Sequence, residues 1–151
     1  MIIIALFLTG IMADVASAAS ATGNLTVSAN VPPVCTITSM SDINFGDYNP
    51  ASGTVKDGEG SFTFSCLGGT NYSIHIAGAR QMSGALANDI EYELYADSGR
   101  ANIWPSAKPS SENGVTPNAD PITRHVYGRI PAGQYVPAGS YMNMVSVVVD
   151  F

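Results

Sequence analysis

The sequence closes on SYMNMVSVVVDF, residues 140–151. Val145, Val147, Val149 and Phe151 occupy alternate positions, so at the two-residue period of a strand they form one continuous apolar face. Such a strand needs a neighbour on each edge and a cover over its face. With Phe151 as the last residue, no further hairpin is at hand to supply one of those edges. The expectation is a sandwich with one strand missing beside its terminal strand.

The rest of the chain supports an all-β class, because no sustained 3.6-residue periodicity interrupts a series of short strands and turns. NLTVSANV, residues 24–31, alternates Leu25, Val27, Ala29 and Val31 with polar positions and reads as a strand. Pro32 and Pro33 then fix two φ angles and remove two donors, so this strand is a separate element on a stiff joint. VCTITSM follows, then INFGDY with a turn or bulge at Phe45-Gly46. GSFTFSC points Phe62, Phe64 and Cys66 inward, and NYSIHIA points Tyr72, Ile74 and Ile76 inward. Gly68-Gly69 between them predicts a hairpin. IEYELYAD sets Ile90, Tyr92 and Leu94 against Glu91 and Glu93. Residues 102–121 are expected to be the longest irregular segment, and ITRHVYGRI to be a strand. Six core strands and the detached one approach the seven of an immunoglobulin-like sandwich.

Length and charge limit the function. A chain of 151 residues has the size of one domain. Its six Lys and Arg against twelve Asp and Glu give a net charge of −6, without the basic footprint that nucleic acid requires. MIIIALFLTGIMADVASAAS is apolar, then rich in small residues, and Ala16-Ser17-Ala18 fits a signal cleavage site, although no Lys or Arg precedes the apolar run. The expected organisation is a signal peptide at 1–18, an N-terminal strand extension at 19–31 and a domain at 32–151. Export to an oxidising compartment leaves Cys35 and Cys66, 31 residues apart, to form one disulfide. Two cysteines lack the ligand count for a metal site, so no metal and no cofactor are expected.

Catalytic chemistry is not apparent. His75 and His125 lie opposite their apolar neighbours on their strands and are expected to face solvent. No nucleophile, acid–base pair or phosphate-binding loop is recognisable, so an enzyme is not expected and no catalytic residue is assigned. Glu91 and Glu93 share a face without a partner across a cleft. Trp104 is read as a cap on the end of the sandwich, with a ligand-stacking platform as the alternative.

Cys35-Thr36-Ile37, Ile43-Asn44-Phe45-Gly46, the Cys66 strand, YELYADSGRANIW and PAGQYVPAGSYMNMVSVVVDF together resemble the spore coat protein U-like domain family, which includes subunits of archaic chaperone-usher pili. Two positions depart from that pattern: Asn143, where an Asp is expected, and Met144, where a β-branched residue is expected. The resemblance implies an incomplete immunoglobulin-like β-sandwich completed by donor-strand exchange. It implies a periplasmic chaperone, an outer-membrane usher and identical or related pilin subunits as partners, with export through the periplasm to the cell surface. The donor strand would insert Leu25, Val27, Ala29 and Val31; Val145, Val147, Val149 and Phe151 would line one side of the acceptor groove, with the strand near Cys35 on the other. The function implied is a shaft or adaptor subunit of a pilus supporting attachment and biofilm formation. A cell-surface or spore coat protein, or a carbohydrate-binding module built on Trp104 and the tyrosines, are the competing readings.

Overall fold

The computed structural model describes residues 18–86, 88–108 and 112–151, the side chains of residues 112 and 113 excepted. Apart from Ala18, the expected signal segment lies outside them. The chain divides into two units, Met1–Val31 and Pro32–Phe151. In the first, residues 18–31 carry no assigned strand and every one is exposed, Leu25 and Val27 at 88% and 87%. The strand expected over residues 24–31 is therefore not formed in the single chain. The alternation is there, but a strand is completed by the hydrogen bonds of a partner.

Among the described residues, the second unit has ten strands and one short 3₁₀ turn at Pro50–Ser52. The strands are β1 (Cys35–Ser41), β2 (Lys56–Cys66), β3 (Asn71–Ala77), β4 (Gln81–Gly84), β5 (Ile90–Glu91), β6 (Glu93–Tyr95), β7 (Glu112–Val115), β8 (Ile122–Ile130), β9 (Tyr141–Met142) and β10 (Ser146–Asp150). They form three open antiparallel sheets, ordered β1-β2-β8-β6, β10-β3-β7 and β5-β4-β9. The first two sheets share one core: Phe62, Phe64 and Cys66 from β2 with Ile74 and Ile76 from β3, joined by Leu94, Val126 and Ile130. Phe64 meets Tyr72 edge-on at 5.0 Å between ring centroids, linking the two layers.

The hairpin expected at Gly68-Gly69 is not there. Gly69 does turn, with φ of +78°, and Thr70 N–H donates to the Leu67 carbonyl at 3.1 Å, but β2 and β3 belong to different sheets. Turn chemistry specifies a reversal of direction, not a ladder. Both flanking strands have an apolar face, and placing those faces against each other buries more than placing the strands side by side. Similarly, IEYELYAD keeps Ile90, Tyr92 and Leu94 buried as expected, yet its halves join different sheets, β5 with β4 and β6 with β8. The segment expected to be irregular contains β7, which pairs with β3 through the backbone without any alternation in its sequence.

Two further expectations are corrected. Trp104 neither caps an end nor offers a platform: it is 1% exposed and packs in the core at 5.9 Å from the Phe62 ring. His75 is on the outer face of its sheet, as parity requires, but its side chain is only 13% exposed. Its Nδ1 lies 3.3 Å from Asp150, and Lys108 reaches the other oxygen of the same carboxylate at 3.4 Å. The connection after Trp104 runs along the edge of β3, Pro105 accepting from Ile76 N–H, and carries Lys108 to Asp150. His125 is half exposed, as expected, and its Nδ1 lies 2.8 Å from Glu59.

Candidate functional site: an apolar groove between two strand edges

β1 begins with a disulfide. Cys35 and Cys66 are register partners on β1 and β2 and are bonded to each other, which ties the outermost strand of the first sheet to its neighbour. The register then slips between Ile37 and Ser39, leaving Thr38 as a bulge. Strict alternation from Cys35 would bring Ser39 and Ser41 inward. After the bulge, Met40 stands opposite Phe62 and shares its inner face.

The segment following β1 crosses the inner side of the first sheet where that sheet carries no side chains. A Cβ on Gly128 would come within 2.6 Å of Phe45 Cζ, and one on Gly60 within 2.7 Å of Ile43 Cγ1. Glycines on β2 and β8 thus leave room that Ile43 and Phe45 fill. Phe45 in turn meets Tyr92 at 6.1 Å.

Across from β1 lies the terminal strand. Val147 pairs with Ile76 and Val149 with Ile74 on β3. Just before it, Asn143 donates from Nδ2 to the Tyr92 hydroxyl at 2.8 Å and to the Ala79 carbonyl. A carboxylate could not make the bond to the Ala79 carbonyl, which needs a donor.

Between these two walls is a cavity of about 440 Å³. Met40, Ser41, Ile43 and Phe45 line one side, Val145 and Val147 the other, and the core residues Phe62, Ile76, Leu94 and Val126 lie at its base. Among the described residues, β1 pairs only with β2 and β10 only with β3, so each wall presents an unpaired backbone edge. The four terminal residues expected to act together divide. Val145 and Val147 line this cavity, and Val149 packs against the core further along β10. Phe151 lies beyond the strand, is exposed and lines a different cavity with Tyr72, Lys108 and Val115. The bulge-directed Met40 and the crossing pair Ile43 and Phe45 had no signal in strand periodicity.

Charged groups concentrate elsewhere. Arg129 donates to both oxygens of Asp57 at 2.7 and 2.9 Å on the outer face of the first sheet, and this hydrogen bonding, with Arg100 nearby, holds the Asp57 carboxyl below its ordinary range. The groove itself has one ionisable carboxylate, Asp42, on its lining. Among the described residues, no three His, Cys, Asp or Glu gather to hold a metal. The arrangement suits an apolar extended segment.

Comparison with known proteins gives a family and a fold. The model of the Spore Coat Protein U domain matches residues 21–148, so the match starts within the N-terminal unit and runs through both walls of the groove. Protein U of Myxococcus xanthus is 33% identical over 162 aligned residues, covering 90% of this chain and 88% of that protein. A chain in the crystal structure of the CsuC–CsuE chaperone–tip adhesion subunit pre-assembly complex, from the archaic chaperone-usher Csu pili of Acinetobacter baumannii, superposes with a TM-score of 0.55 at 20% identity. That match covers 80% of this chain and 40% of the other, and it establishes likeness of fold, an immunoglobulin-like sandwich with open sheets. With a family match over most of its length and a relative at 33% identity, the chain belongs to the Spore Coat Protein U domain family.

Proposed function

We propose that this protein is a structural subunit of a surface fibre, assembled by strand exchange between copies. The observation that carries the proposal is the pair of unpaired edges, β1 and β10, facing each other across one apolar cavity. A strand laid between them gains main-chain hydrogen bonds on both sides and sends alternate side chains into the groove. Residues 24–31 have that pattern, with Leu25, Val27, Ala29 and Val31 on one face, and they are exposed. The Pro32-Pro33 joint resists a tight reversal onto β1 of the same chain, which favours the groove of a second copy.

Before assembly the groove would be filled by a strand of a periplasmic chaperone, and an outer-membrane usher would exchange that strand for the donor of the next subunit. The likeness to a chaperone–pilus subunit complex supports this route. The same route takes the protein through the periplasm to the cell surface as a shaft or adaptor subunit, where fibres support attachment and biofilm formation. A coat subunit assembled by the same exchange is the second reading, favoured by the description of the family; adjacent chaperone and usher genes decide for the pilus. The carbohydrate-binding reading loses its platform with Trp104 in the core.

Val27→Asp tests the mechanism. The substitution alters an exposed residue of the single chain, so folding is unaffected, but the carboxylate cannot enter an apolar groove. Ser28→Asp points the other way and is tolerated. On unboiled gels the wild type and Ser28→Asp give a ladder of polymers and Val27→Asp gives none. Equal behaviour of the two variants rejects insertion of residues 24–31 as an alternating strand.

A further inference from the structure

Of the six methionines, Met1 and Met12 precede the mature chain expected from the sequence, and the other four all line the one groove. Met82 is half-buried and packs against the core. Met40, Met142 and Met144 stand on the two walls, 57%, 74% and 87% exposed. From this we infer that the groove is a methionine-sulfoxidation site, and that oxidation of Met40, Met142 and Met144 closes it to an incoming strand. The inference rests on the strand-exchange reading above.

The reduced side chains suit the groove as proposed. A thioether on an unbranched, flexible stem adapts to apolar partners of different shape, and the groove would receive two, a chaperone strand and then the donor. With a peroxide, the thioether sulfur attacks one peroxide oxygen. The O–O bond breaks, an S–O bond forms, and the second oxygen takes up the proton and leaves as water. Sulfur loses two electrons and the peroxide gains them. The product is a polar sulfoxide oxygen at the rim. An entering strand offers it no donor, because its N–H groups pair with β1 and β10 and its inward side chains are Leu25, Val27, Ala29 and Val31. The oxygen keeps its water, and entry is disfavoured. Since methionine sulfoxide can be reduced enzymatically, the block is reversible.

The test uses the monomeric fraction of the full chain, oxidised partially with hydrogen peroxide and then allowed to polymerise. Peptide mass spectrometry shows Met40, Met142 and Met144 gaining oxygen ahead of Met82. Sulfoxide at those three is depleted roughly tenfold in the ladder relative to the remaining monomer, the consequence of one unsatisfied polar group. In a Met40→Leu/Met142→Leu/Met144→Leu variant, the ladder is the same with and without peroxide. Equal sulfoxide content in ladder and monomer overturns the inference and leaves strand exchange standing, as does peroxide sensitivity that persists in the triple variant. Failure of the untreated wild type to form any ladder overturns strand exchange itself.

Discussion

Asp57 and Arg129 form a two-pronged ion pair on the outer face of the first sheet, and its energetics are those of a surface pair. The carboxyl is held below its ordinary value first by the Arg129 hydrogen bonds and then by the charge of Arg100, against a smaller opposing effect of burial than the hydrogen bonds exert. Because the ionised form is favoured by the fold, its stabilisation is complete above the unfolded value, about pH 4, and is lost as pH falls through the lowered native value. Arg129→Gln is expected to lower stability only slightly at pH 7, because both partners are more than a third exposed and solvent screens the pair. The deficit should shrink toward zero as urea midpoints are followed down to about pH 2. A larger effect is expected at Gly128, where a methyl group would sit 2.6 Å from the Phe45 ring. Gly128→Ala should cost about 1 to 3 kcal/mol by urea denaturation, as overpacking displaces Phe45 and with it one wall of the groove. Residue by residue, the sequence is most readable where a side chain follows strand parity, as Phe62, Phe64, Ile74 and Ile76 do. It is least readable where burial comes from a distant segment, as for His75 beside Asp150 and Lys108.

β1 is short of inward apolar residues by sequence and acquires one through its bulge. With Thr38 unpaired, Ile37 stands opposite Phe64 and Met40 opposite Phe62. Deleting Thr38 should therefore leave Met40 in the groove, removing the extra residue without changing any other pairing. The cost is the hydrogen bond from the Thr38 hydroxyl to the Thr63 carbonyl, about 1 kcal/mol, and the disulfide and the polymer ladder should persist. Loss of the ladder would show that the bulge itself, not the position of Met40, shapes the edge. On the facing wall, Val147→Asp puts a carboxylate beside Ile76 at the groove. Chaperone complexes and fibres should both be abolished, since either strand would have to cover an unpaired charge at a cost of several kcal/mol. Co-purification with a chaperone at normal yield would remove Val147 from the contact. Elements were legible where one strand belongs to one sheet, as with β8. Strand-switching between β5 and β6, and the passage of β2 into β3 across the layers, were not, because alternation records which face is apolar and says nothing of which edge finds a partner.

At the scale of the whole molecule, the Cys35–Cys66 bond closes a 31-residue loop and fixes the first residue of β1 to the sheet. Replacing both with Ser should lower stability by about 3 to 4 kcal/mol, read from urea midpoints. The ladder should form by the same mechanism at lower yield, whereas an unchanged midpoint would mean that the bond constrains little. The alternation of residues 24–31 and 145–151, the paired cysteines and the excess of acidic over basic residues were properties of the sequence alone, because they depend only on spacing and composition. Two apolar strands without stated partners could be recognised there. The groove that relates them required the tertiary structure. It depends on glycines in β2 and β8 admitting Ile43 and Phe45, on a bulge turning Met40 inward, and on β1 and β10 ending up as the outer strands of two different sheets. Each of these is a contact between residues far apart in the chain, chosen by which packing buries the most apolar surface, and no local period encodes that choice.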